Sequence, residues 1–205
     1  AWVWDAAKYY NSVIESDSVI ESSIPIIIYG GLKVAEGATL TVRNTTLYFH
    51  DSAGLHVYGS LKTENCTMRG DRLDDMFSYL PYDRVSGQWS GVHLYGTSMD
   101  IQLTDTEIRN ANDGLICDSA AIDSLHPRLR MERCVVHNCA STGVEAVNTY
   151  VSLDHCQLTN IGGDCLSIVG GLAEIRYCTL AQFYPFSANR GAALRFTNYQ
   201  GLVDM

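Results

Sequence analysis

The apolar positions of this chain recur in one short pattern, found six times at fixed internal offsets. Two apolar residues stand two apart, a gap of three leads to a Cys or Thr, and another apolar residue follows two later. Read at the Cys or Thr, the members are Thr45, Cys66, Thr106, Cys134, Cys156 and Cys178. Three residues earlier stand Val42, Thr63, Leu103, Met131, Leu153 and Ile175, and two later stand Leu47, Met68, Ile108, Val136, Leu158 and Leu180. The steps between members are 21, 40, 28, 22 and 22 residues. A unit near 22 residues with occasional insertions follows. Such a unit cannot bury its own apolar face and must stack on its neighbours.

A second alternating triplet lies ahead of each Cys position. Its members are Leu32–Val34, Leu55–Val57, Val92–Leu94, Leu115–Cys117, Val144–Ala146, Leu166–Ile168 and Leu194–Phe196, most of them preceded by Gly. Apolar–polar–apolar alternation marks a strand with one buried face, and the preceding Gly marks a corner. Asn110, Asn138 and Asn160 fall two residues past the last apolar position. There an Asn takes a left-handed turn and bonds to its equivalents above and below. The expected fold is all-β: a right-handed parallel β-helix, a solenoid of about seven coils of roughly 22 residues. One domain spans 1–205, with 1–30 as an N-terminal capping region and 69–90 as a long insertion. After Asn198 no capping element is legible before Met205. That predicts an open C-terminal rung, available for association or for continuation in a longer β-helix.

Composition narrows the partners. The net charge of −9, with only 14 basic residues, argues against nucleic acid. No apolar run approaches the ~18 residues of a transmembrane helix. Of the seven cysteines, Cys66, Cys134, Cys156 and Cys178 share one repeat position that Thr also fills, so they read as small buried thiols. No CxxC is present, and ligands on one line do not surround an ion tetrahedrally. Neither a metal nor a cofactor is expected.

The corners Asn110-Ala-Asn-Asp-Gly114, Asn138-Cys-Ala-Ser-Thr-Gly143 and Asn160-Ile-Gly-Gly-Asp164 resemble those of right-handed β-helix repeat proteins of the pectin-lyase-like superfamily. The resemblance covers roughly residues 30–198. It implies the fold but not one activity, since that superfamily holds lyases, hydrolases, epimerases and non-catalytic surface proteins. The polygalacturonases would imply an Asn-Thr-Asp motif, an Asp pair on a strand and a Gly-His-Gly. None is present, the one Asp pair being Asp74-Asp75 in the insertion. The segments Glu36–Val42 and Tyr82–Trp89 further resemble bacterial extracytoplasmic β-helix proteins, often lipoproteins. A secreted, periplasmic or cell-surface location is the implied expectation.

Candidate chemistry follows from the outward positions of the triplets. Alternation turns His56 with Tyr58, and His93 with Tyr95, to solvent on consecutive coils, with Asp118 and Glu145 further along the same sheet. Aromatic planes with hydrogen-bonding tips suit sugars; aromatic ladders also simply stabilise sheets. The insertion carries Phe77, Tyr79, Tyr82, Arg84 and Trp89; Tyr82, Arg84 and Trp89 are expected to wall this face into a groove, bordered also by insertions at Ser119–Arg128 and Gln182–Gly191. Two readings stay open. One is a non-catalytic protein binding a polysaccharide or surface partner on this face. The other is a lyase or hydrolase with His56 or His93 as base and Asp118 or Glu145 as acid or metal ligand.

Overall fold

The computed structural model describes residues 6–73, 79, 81–184, 188–197 and 203–204. The expected residues Asp74, Asp75, Phe77, Asn198 and Met205 lie outside them. Sixteen strands are present among the described residues, all in one sheet, and their pairings are parallel throughout. They are β1 (Ala7–Ile14), β2 (Ser18–Glu21), β3 (Ile26–Val34), β4 (Thr39–Val57), β5 (Ser60–Gly70), β6 (Gly91–Leu94), β7 (Ile101–Arg109) and β8 (Leu115–Cys117). Then follow β9 (Leu129–Glu132), β10 (Val135–His137), β11 (Val144–Asp154), β12 (Gln157–Thr159), β13 (Leu166–Arg176), β14 (Thr179–Ala181), β15 (Leu194–Thr197) and β16 (Val203–Asp204).

Three ladders organise the sheet. The first carries Leu32, Leu55, Val92, Leu115, Val144, Leu166 and Leu194 in register. The second carries Leu40, Leu61, Ile101, Leu129, Val151 and Ala173, reached through Thr63↔Leu103 and Leu103↔Met131. The third carries Leu47, Met68, Ile108, Val136, Leu158 and Leu180. Nearly all of these residues are fully buried, so one continuous apolar core fills the space between the ladders. Thr63 and Thr106, two of the buried polar residues, satisfy each other through their hydroxyls at 2.7 Å.

A solenoid of seven discrete 22-residue coils is not what these strands form. Hydrogen-bonded neighbours trace a closed ring of seven strands, β4–β6–β8–β11–β9–β7–β5 and back to β4, to which the other strands are joined. The physical reason lies at the corners. One residue in the left-handed conformation turns the chain while leaving the residues on both sides in the ladder. The 19-residue β4 therefore passes through Asn44 (φ 51°) and Asp51 (φ 41°) and serves all three ladders. Left-handed residues stand immediately before every Cys/Thr position: Asn44, Asn65, Asp105, Arg133, His155 and Tyr177. The expected left-handed Asn corners are also present, at Asn110, Asn138 and Asn160, with φ between 54° and 62°. Asn160 Nδ2 donates to Asn138 Oδ1, linking neighbouring corners as anticipated.

The stretch expected to cap the N-terminus contributes β1, β2 and part of β3, in parallel register with the ladders above. At the other end Val203–Asp204 pair with Ala173–Glu174. All seven cysteines are free thiols; six are buried, and Cys178 is partly exposed. Burial pushes Cys139 up to about 12. In the shared column Cys156 is also raised to about 12, chiefly by its hydrogen bond with Cys134.

Candidate functional site

The first ladder brings the expected face together. His56 and His93 are register partners, and each sends its ring outward between two buried apolar neighbours. Tyr58 and Tyr95 leave the ends of the same strands. Tyr95 stacks on Tyr58 with ring centroids 4.1 Å apart and planes 5° off parallel. It stacks equally on His93, at 4.1 Å and 10°. Two rings that close cannot share one side of a third, so both faces of Tyr95 are covered. The outer side of Tyr58 carries the Lys33 ammonium, 4.5 Å from the ring centroid.

The polar tips are engaged as well. His56 Nδ1 meets Tyr95 Oη at 3.2 Å. His93 Nε2 lies 3.0 Å from Asp118 Oδ1, an ion-pair contact without hydrogen-bond geometry. Burial, then the nearby His93 and Lys33 charges, hold His56 below the ordinary histidine range. Burial and the Tyr58 contact raise the Tyr95 phenol. Gly54 leaves room for the His56 ring: a Cβ there would come within 3.3 Å of His56 Nε2. Glu145 stands on the same column, separated from His93 by Ile116.

The insertion does not contribute as expected. Trp89 is 1% exposed, stacks on Phe49 at 4.2 Å, and donates its indole N–H to Arg109 O at 2.8 Å. Its ring belongs to the core, and the depression that it borders, with Ser52, Ser90, Asn112 and Asp113, includes none of the outward His/Tyr residues. The loop around Tyr82 and Arg84 is a short 3-10 turn laid over the asparagine corners. Asn110 and Asn138 each donate from Nδ2 to Asp83 O at 2.9 Å, and Gln88 Nε2 donates to Tyr82 O. These contacts sit where the chain enters the first ladder, whereas Tyr58 and Tyr95 mark where it leaves. Six residues of extended chain, about 20 Å, separate Trp89 from Tyr95. The loop thus joins β6 at the end opposite Tyr95.

The groove lies at that other end. The Gly96–Asp100 turn and the 119–128 segment enclose a depression of about 570 Å³, within the range of small-ligand sites. Arg128 fixes its walls. Its Nε donates to Ser98 O and one Nη to Ser98 Oγ, both at 2.7 Å, and its remaining bonds reach Tyr95 O and Asp118 O. One side chain therefore ties both loops to the exit of the His/Tyr strands. Gln182, in the third expected insertion, instead donates from Nε2 to Gly163 O, away from this groove. Sequence reasoning noted the 119–128 insertion but missed Arg128 and the outward Gln102 and Arg130 of the second ladder. The available signal was the alternation around Leu129 and Met131, which turns Arg130 outward.

Among the described residues, no group of three or more His, Cys, Asp and Glu is arranged to hold a metal ion. No described helix is long and apolar enough to cross a membrane. The right-handed β-helix region family matches residues 11–180. The chain belongs to that family. No curated protein and no solved structure gives a significant match. Membership in this β-helix family accounts for the parallel ladders and leaves activity open.

Proposed function

We propose that this β-helix is a non-catalytic binding protein of the cell exterior, holding an extended glycan or surface partner along the first ladder. The observation that carries the reading is the closed set of contacts around Tyr95. Its two ring faces are occupied by Tyr58 and His93, and its hydroxyl by His56. A general base needs a free lone pair aimed at the reacting proton, with an acid within reach. Here His56 Nδ1 is engaged by a phenol, and the contact of His93 Nε2 with Asp118 lacks hydrogen-bond geometry, so no carboxylate orients either imidazole as a base. What the face does offer is a stiff row of ring edges and polar groups repeating about every 4.8 Å, close to a sugar repeat. Lys33, Asp118 and Glu145 extend the row on either side. Contacts to ring edges contribute on the order of 1 kcal/mol or less each, so affinity per rung is weak and builds with ligand length.

A glycan array probed with the wild type and with a Tyr58→Ala/Tyr95→Ala double variant tests this. Wild-type binding that grows with chain length and vanishes in the double variant is expected. No binding to any glycan, or binding that the double variant keeps, ends the proposal. A secreted or surface location would show as protection of the native protein from a cytoplasmic labelling reagent in the source cell.

A further inference from the structure

Beyond that reading, we propose that the groove between the 96–100 turn and the 119–128 segment is a separate site for a small organic carboxylate, with Arg130 as its anchor. Three observations converge on it. The groove is roomy enough for a ligand of a few to a dozen heavy atoms, at about 570 Å³. Its walls are held in place by Arg128, whose four acceptors are carbonyl and hydroxyl oxygens with no carboxylate in an ion pair among the described residues. Its floor presents Arg130, an exposed residue of β9 that likewise has no ion pair among the described residues. Two guanidinium groups thus border one cavity without a direct ion pair among the described residues, the Arg130 charge acting on Asp100 only through space.

The acidic residues around the groove are mostly engaged. Asp100 is paired with Lys62 at 3.1 Å and accepts from Gln102 Nε2 at 2.6 Å. Asp123 is paired with His126 at 2.8 Å and caps Leu125 N. Glu36 is the remaining carboxylate at the rim. No carboxylate is hydrogen-bonded to the Arg130 fork among the described residues, although its charge helps to lower Asp100, and that fork matches a carboxylate in a bidentate arrangement. Met99, Ala121 and Pro127 line the groove, so the ligand's carbon body meets an apolar surface while its charged end meets Arg130. A long polyanion is disfavoured, because it would meet Glu36, Asp100 and Asp123 on a protein already at −9.

The site differs from the first-ladder face in location and in residues, so the two proposals fail separately. The test is methyl NMR of the wild-type protein labelled at methionine, the Met99 signal being identified by its loss in Met99→Leu. Succinate, glutamate and glucuronate are titrated in turn, with succinate dimethyl ester and glucose as neutral controls. The expected result is a saturable shift of the Met99 methyl with at least one carboxylate, none with the neutral compounds, and about tenfold or greater weakening in Arg130→Gln. Which acid binds most tightly distinguishes a dicarboxylic acid, an amino acid and a sugar acid as the source. Absence of any carboxylate-dependent shift, equal shifts from the neutral controls, or a shift unchanged in Arg130→Gln would overturn the proposal.

Discussion

Trp89→Ala separates a core anchor from a ligand wall. The side chain is 1% exposed, its ring stacks on Phe49 12° from parallel, and its indole N–H satisfies Arg109 O. Truncating a buried aromatic side chain to Ala typically destabilises by about 3–5 kcal/mol. Within that figure the stack contributes about 0.5–1.5 kcal/mol and the N–H bond about 1 kcal/mol. For a chain of this length, a melting point lower by about 10 °C is the corresponding shift. Trp89→Phe keeps a ring against Phe49 and loses the donor, so it should fall between, at about 1–3 kcal/mol. Guanidinium unfolding followed by circular dichroism reads both. A loss below about 1 kcal/mol in Trp89→Ala would refute the packing argument and return Trp89 to the surface.

Arg128→Met should lower the melting point modestly and raise amide exchange selectively over residues 96–100 and 118–128, because one guanidinium holds both loops; uniform exchange changes would contradict this. Acid lability should come in two stages. His56 is held below its ordinary 6.5 by burial, so its contribution is complete above 6.5 and is lost as pH falls through the folded value; urea unfolding against pH, with His56→Gln removing this stage, checks it. Asp164 is lowered chiefly by Arg195, so its contribution is present above 3.8 and is lost on further acidification; Asp164→Asn should remove that second stage. In native protein all three thiols are raised, Cys178 chiefly by its hydrogen bond with Cys156, so access decides, and partly exposed Cys178 should react with a thiol reagent before buried Cys139 and Cys165; mass spectrometry of the modified peptides reads the order.

The ladders were legible because alternation has a period of two and the residues between Leu40 and Leu180 keep it with few exceptions. The Asn corners were legible for the same reason that they work: Asn tolerates a left-handed backbone and carries an amide to bond its neighbour. Other corners were hidden. Arg133, His155 and Tyr177 adopt φ near +52° although such residues rarely do so, and only their position before a Cys identifies them with Asn44 and Asn65. That continuity through corners is why the strands close into a ring rather than divide into seven coils.

Side-chain destinations were legible in direction but not in partnership. Alternation turned His56, Tyr58, His93 and Tyr95 outward, and they are found together. It could not say that their faces and tips would be occupied by one another, because that depends on rotamers set across rungs. Tyr82, Arg84 and Trp89 were expected to form a binding wall from composition and from the place of the insertion before β6. Their fate was decided by Gln88 and by Asn110 and Asn138, which fold the loop down onto the corner through the Tyr82 and Asp83 carbonyls. Arg130 went unnoticed because a lone outward Arg carries no signal until its acidic neighbours prove to be paired elsewhere.

On the proposed reading, the His/Tyr face binds a polysaccharide without turning it over. The most direct measurement is ultraviolet absorbance of unsaturated products, with reducing-end release in parallel, over a panel of acidic and neutral polysaccharides for the wild type and for His93→Ala. No product is expected from either protein above the rate without protein, on any polysaccharide that the wild type binds. Product formation by the wild type that His93→Ala abolishes would contradict that reading.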